Sequence, residues 1–380
     1  MRRSRADFKR ILKQVKANEN SIRAESISCK LRGGKSKALS DDLKRNLPVS
    51  RQLPQQVDGI VGEDNIANLW REKYSNVLNS VDDRGDRDVL ERDLQSLPIG
   101  EWQQVSAGEV LSAAGRLAKS TSAGMDGIPP GVLIDAPAFL YGWLANLFNS
   151  FFMHYFLPTS LSDVLIVSIA KNKHANMSDS SNYRPIAIFN SAFKLLGIII
   201  LERIHMNLFT SDNQFGFKKL HSTELCIYAL KEVIQYYRDL NTSVFTAFID
   251  IKSAFDRVSF YRLFGKLIKR GINKVLILFL RFLYETQQLY AAWGNSRSLV
   301  FYMKNGIRQG SVISPYIFNV YISDLNYMLS NSKVGCHVAN KCMNSFSYAD
   351  DLALVAPSAH SMNELLALCD KFASENHIIY

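Results

Sequence analysis

Ser345 to Ala356 read SFSYADDLALVA, two adjacent carboxylates set between apolar halves that each have the composition of a strand. Such a stretch constrains the chain strongly: Asp350 and Asp351 belong in the tight turn of a hairpin whose arms pack on a core. The chain carries its own controls. Asp41-Asp42 and Asp82-Asp83 lie among polar or turn residues, where solvation accounts for them. Two carboxylates fixed side by side at the edge of a core repel one another and lose hydration, which costs free energy unless a cation neutralises them. A hard divalent ion with oxygen ligands suits them. On this pair alone, a metal site and a surface turn are equal readings.

A further carboxylate shifts the balance. In SVFTAFIDIKSAFDRV, Asp250 ends a strand rich in Phe, Val and Ile and shares the Thr246, Phe248, Asp250 face under period-two alternation. Asp256 directly precedes a helical stripe and is expected to be its N-cap. Oxygen donors at a strand end and a hairpin turn form the constellation that holds two Mg²⁺ ions ~3.5–4 Å apart for in-line phosphoryl transfer.

The surroundings read as α+β. Phe260, Leu263, Phe264, Leu267 and Ile268 form the stripe of a half-buried helix closed by Gly271, and Ser314-Pro315 is expected to cap and open another. Strands are expected at 164–170, 244–251, 299–303 and 346–356, antiparallel and interspersed with helices. The chain has 380 residues, material for two or three domains. Its net charge is +10, and residues 1–60 hold 15 Lys and Arg against 6 Asp and Glu, so nearly all of the surplus sits in one segment. That favours a polyanionic partner, with a solvated arm as the equal alternative. A basic extension or linker is expected over 1–95. Five scattered cysteines without a C-x-x-C pair argue for free intracellular thiols. Without a long apolar run, no membrane association is expected, and the expected location is intracellular.

Three stretches, FIDIKSAFDRV, NGIRQGSVISP and YADD, occur in that order. Together they resemble the palm motifs of reverse transcriptases, specifically those of non-LTR (LINE-type) retrotransposons. TSAGMDGIPPGVL at 121–133, the 168–190 stretch ending in NYRPIAIFN, and QFGFKKLHSTE at 214–224 resemble the fingers-side blocks, so the likeness covers about residues 100–380. It implies a right-hand polymerase with fingers at 96–240 and palm at 241–380. The last palm block is followed closely by the end of the sequence, and the thumb and primer grip are expected to be absent.

The resemblance also implies roles. Asp250, Asp350 and Asp351 match the family's catalytic, metal-binding aspartates, with two Mg²⁺ as cofactor and Mn²⁺ as a substitute. Phe255 matches the steric gate against a ribose 2′-OH. Gln309 and Gly310 match the block beside the incoming nucleotide and template, and Arg184 matches a fingers arginine on the triphosphate. Lys171 is a second cation for that task, with a solvated hairpin lysine as its alternative. The implied partners are an RNA template, a DNA primer and dNTPs, in the nucleus or cytoplasm, with the oligomeric state left open. The competing readings are a group II intron type reverse transcriptase, a viral RNA-dependent RNA polymerase and a catalytically silent RNA-binding remnant. Gly34-Lys35-Ser36 is not a phosphate loop, because Cys29 stands where the first glycine is required. The seven histidines form no zinc-hydrolase or deaminase pattern.

Overall fold

The computed structural model describes residues 53–380 apart from Glu101 and Lys173; the basic segment at 1–52 lies outside the described residues. The chain divides into Met1–Pro54 and Gln55–Tyr380. The second unit runs β1 (Gln56–Val57), β2 (Ile60–Val61), α1 (Glu63–Val77), α2 (Arg84–Ser96), α3 (Ala107–Gly115), α4 (Pro130–Ile134), α5 (Ala138–His154) and α6 (Thr159–Ser162). Next come β3 (Val164–Ala170), β4 (Tyr183–Ile188), α7 (Ser191–Ile204), α8 (Thr223–Asp239), β5 (Phe245–Asp250), α9 (Phe260–Lys269) and α10 (Lys274–Thr286). The last are β6 (Leu289–Trp293), β7 (Ser296–Arg297), α11 (Ser314–Asn331), β8 (His337–Val338), β9 (Lys341–Cys342), β10 (Ser345–Tyr348), β11 (Asp351–Ala356) and α12 (Ala359–Glu375). Helices and strands are mixed as the α+β reading expects.

Two sheets organise it. One has three strands in the order β10-β11-β5, all antiparallel. Central β11 is buried on both faces: Leu352, Leu354 and Ala356 enter the main core, while Ala353 and Val355 join a smaller cluster with Phe346 and with Cys226 and Val233 of α8. Burial on both faces is why this strand reads as an unbroken apolar run rather than an alternation. β5 is an edge strand, and its Thr246, Phe248, Asp250 face is exposed, Phe248 by 77%.

The other sheet has the order β4-β3-β6-β7, and β3 pairs parallel with β6 where an antiparallel neighbour was expected. A parallel pair requires a long crossover, here everything from β4 to α10. The sheet therefore joins strands from both sides of residue 240, the expected fingers–palm boundary. Trp70 and Tyr74 of α1 stack on each other, and Trp70 lies 5.1 Å from Tyr183 and 5.8 Å from Trp293 on this sheet. Residues 55–95, expected to belong to the extension, thus pack into the same compact unit as the rest. Their polar sequence is the outer face of amphipathic helices that also bury Ile66, Leu90 and Leu94.

The stripe at 260–268 forms α9 as expected, with Phe260, Leu263, Phe264 and Leu267 buried. Truncating Phe264, 1% exposed, removes ~3–5 kcal/mol on the usual scale for core Phe→Ala. Its cap is Ser259, whose hydroxyl accepts from the Arg262 amide; Asp256 stands one turn too early to cap. Ser314 is the first residue of α11 and its hydroxyl makes no cap bond, while Pro315 takes the early position that its missing N–H allows. The strand expected at 299–303 is reduced to one bridge between Leu289 and Phe301, because Lys304 and Asn305 turn away to donate to the Leu78 carbonyl. Among the described residues no helix is long and apolar enough to cross a membrane, and Cys226, Cys336, Cys342 and Cys369 carry free thiols.

Candidate active site

The three-stranded sheet brings the aspartates together. Tyr348 pairs with Asp351 across the hairpin, leaving Ala349 and Asp350 as a two-residue turn, and Asp351 in turn pairs directly with Asp250 on β5. Residues opposite each other in an antiparallel pair point to one face with Cβ atoms ~4.5–5.5 Å apart. Asp250 and Asp351 are exposed; Asp350 is half-buried. Burial pushes the Asp350 carboxyl above the usual range, the Asp351 and Asp250 carboxylates push it the same way, and Arg184 pulls it back. Asp250, Asp351 and Arg184 therefore all act electrostatically on Asp350 at the end of the sheet.

The other expected residues sit on different elements. Arg184 is an exposed residue of β4, opposite Ile169. The Gln309 carbonyl accepts from the Ala187 amide at 2.7 Å, which docks the 306–313 loop on the same strand. Gly310, at φ 112°, is required there, because a Cβ would stand 2.4 Å from the Ala187 oxygen. Phe255 stacks on Phe318 at 4.5 Å and meets Phe217 edge-on, so its ring is partly core and partly open. Lys171 is turned to its own hairpin, donating to the Ser181 carbonyl at 2.9 Å.

The turn itself is under constraint. Ala349 has φ 57°, a region that costs an L-residue other than glycine ~1–2 kcal/mol and that glycine fills in most hairpin turns of this length. Gln214, wholly buried, binds both backbone polar groups of Ala349. Its segment was legible in the sequence as a block, but nothing local marks its side chain. Arg308, 6% exposed, belongs to the NGIRQGSVISP block but carries no expected role of its own; its guanidinium lies 4.7 Å over the Tyr284 ring, with Nε and Nη2 unpaired.

A family model described as "Reverse transcriptase (RNA-dependent DNA polymerase)" matches residues 169–379, more than half of the chain and a span that holds Asp250, Asp350, Asp351 and the other residues placed in this site. The chain belongs to the reverse transcriptase family. Its similarity to a probable RNA-directed DNA polymerase from transposon BS of Drosophila melanogaster is 30% identity over 280 residues, 71% of this chain and 30% of the relative. It is 26% identical over 265 residues to the retrovirus-related Pol polyprotein from type-2 retrotransposable element R2DM of Drosophila melanogaster, 70% of this chain and 24% of that protein. With the RNA-directed DNA polymerase from mobile element jockey of Drosophila funebris it shares 26% identity over 234 residues, 60% of this chain and 24% of the relative. These likenesses bear out the resemblance to non-LTR reverse transcriptases drawn from the motifs. The chain spans between about a quarter and a third of the length of these curated relatives.

The donor chemistry of this reverse transcriptase site fits a hard divalent cation. It offers carboxylate oxygens only, three of them aspartates in mutual repulsion, on a sheet end open to solvent. Among the described residues no three His, Cys, Asp or Glu side chains stand close enough to form a closed metal site. The aspartates share an edge without enclosing a point.

Proposed function

We propose that the chain is an RNA-directed DNA polymerase of a non-LTR retroelement, extending a DNA primer on an RNA template with dNTPs. The observation that carries this is the direct pairing of Asp250 with Asp351, with Asp350 beside them, in a chain of the reverse transcriptase family. Asp250, Asp350 and Asp351 would hold Mg²⁺, for which Mn²⁺ can substitute. When bound, the metal lowers the pKa of an attacking hydroxyl and stabilises the charge that develops on the leaving group.

The chain's own residues do the rest. The exposed β5 face leaves room for a primer end beside Asp250. Arg184, a cation on the neighbouring sheet, binds triphosphate oxygens opposite the acidic edge, where a planar guanidinium can make two parallel bonds. Gln309 and Gly310 line the nucleotide and template side, with Gly310 giving the backbone its close approach. Lys171 supports the triphosphate from the end of β3 on leaving the Ser181 carbonyl. Phe255, held by Phe318, closes the volume a 2′-hydroxyl would need. Fingers functions belong to 96–240 and palm functions to 241–380, and the basic 1–95 stretch adds phosphate contacts from its first half.

Primer extension by the purified chain on an RNA template, with dNTPs and with rNTPs, tests the reading. Template-dependent dNTP incorporation that Asp250→Asn removes supports it; RNA binding without incorporation would leave an RNA-binding role. In the active protein, Phe255→Val is expected to keep dNTP incorporation and gain rNTP incorporation. Equal loss with both sugars would instead make Phe255 a core anchor.

A further inference from the structure

We propose that Gln214 is a positioning residue of this site, its buried amide holding the Ala349–Asp350 turn in the shape that presents Asp350 and Asp351. The inference rests on reading those aspartates as metal-holding and goes beyond it, to a side chain that touches neither metal nor substrate.

A primary amide has one acceptor oxygen with two lone pairs and two N–H donors. Gln214 commits them to the turn. Its Oε1 accepts from the Ala349 amide at 2.9 Å and from the Gly216 amide at 2.8 Å, while Nε2 donates to the Ala349 carbonyl at 3.2 Å. One side chain thus satisfies both backbone groups of the turn residue that sits at positive φ. The flanking backbone is fastened as well: the Ser347 amide donates to the Asn213 carbonyl and the Phe215 amide to the Ser347 carbonyl, each at 2.8 Å. Gly216 is required for this approach, since a Cβ there would stand 2.3 Å from the Ala349 nitrogen. The Gly216 carbonyl accepts from Asn319 Nδ2 of α11 at 2.7 Å, which ties the clamp to a buried helix.

The turn requires such support for two reasons. A two-residue hairpin with positive φ at its first position selects glycine, and this one has alanine. The like charges of Asp250, Asp350 and Asp351 also press the turn open. A neutral amide resists both without adding a charge that would compete with the carboxylates for a cation; lysine or arginine would neutralise them, and glutamate would add a fourth anion.

The test compares the wild-type chain, Gln214→Met, Gln214→Met with Ala349→Gly, and Asp350→Asn. Mn²⁺ binding is followed by electron paramagnetic resonance, alongside melting temperature and the metal dependence of primer extension. Gln214→Met keeps length and removes the hydrogen bonds. It is expected to weaken Mn²⁺ binding by ~10-fold, within the range set by an unsupported left-handed residue, and to shift the metal dependence of extension in parallel. Ala349→Gly takes the positive φ unaided, so the double variant should recover most of that loss even where the single variant folds poorly. Unchanged Mn²⁺ affinity in folded Gln214→Met overturns the proposal. So does a double variant that regains its melting temperature without its Mn²⁺ affinity, or one that does not fold. Asp350→Asn separates the two levels: if it leaves Mn²⁺ binding intact, the reading of the aspartates fails and the clamp's purpose with it. If Asp350→Asn abolishes binding and Gln214→Met does not weaken it, only the clamp fails.

Discussion

Asp82–Asp83 and Asp350–Asp351 are the same dipeptide in two settings. Each places one carboxyl in water and draws the other toward the interior, Asp83 to 8% exposure and Asp350 to a half-buried position. Burial pushes both Asp83 and Asp350 above the usual carboxylate range. Their neighbours differ. Asp82 is gripped by the Arg84 guanidinium, Asp83 accepts from the Ser259 hydroxyl at 3.2 Å, and the adjoining Asp86 accepts from Arg262 at 2.6 Å and lies 3.3 Å from His377. Around Asp350 the nearest charges are two more carboxylates, with Arg184 the cation in reach. Adjacency and burial therefore do not distinguish a structural pair from a candidate metal site. The guanidinium groups bound directly to Asp82 and Asp86 do.

Substitution at the two pairs should separate them widely. Asp350→Asn or Asp351→Asn is expected to lower primer extension by about 10³-fold, the scale on which a group stabilising transition-state charge is lost, with melting temperature unchanged or raised as repulsion is relieved. A comparable loss of extension on replacing Asp83 would break the comparison.

Asp256 gives an intermediate case, a carboxyl that burial alone pushes up to about 6. The folded chain keeps its proton to a higher pH than the unfolded chain, whose carboxyl titrates near 3.8, so stability falls as pH rises between those values. Asp256→Asn escapes that loss. Its advantage in chemical denaturation should grow from nothing at the acid end of the window to ~2–3 kcal/mol above it. An advantage independent of pH would place the effect in packing instead.

The smallest effect belongs to Asp83→Asn. The amide oxygen can still accept from Ser259, and the buried charge is gone, so stability near neutral pH should change by less than about 1 kcal/mol, toward the more stable side. Primer extension should not change.

Much of the site could be read from the sequence because its signals are local. An apolar run interrupted by two aspartates specifies a hairpin turn, and an apolar strand ending in Asp250 specifies an edge. The helix at 260–269 and the strand at 164–170 carry their periodicity within one window. What stayed hidden depends on partners far along the chain. Asp83 looks solvated until Ser259, 176 residues away, is folded over it. Residues 55–95 look like a linker until Trp70 finds Tyr183 and Trp293. Gln214 shows nothing of its task, because its partners are the backbone of Ala349, and backbone atoms leave no mark in a sequence.

The pairing of Asp250 with Asp351 also has a consequence in time. The two residues are 101 positions apart. At a synthesis rate of ~5–20 residues per second, Asp250 waits roughly 5–20 s before its partner strand has been made. For that interval β5, with Phe248 on the face that remains open in the finished fold, lacks β11, its one strand neighbour, and presents an unpaired, apolar strand to whatever else is in the cell. The acidic edge is thus assembled late, and its first strand stands unpaired while the chain that carries its partner is made.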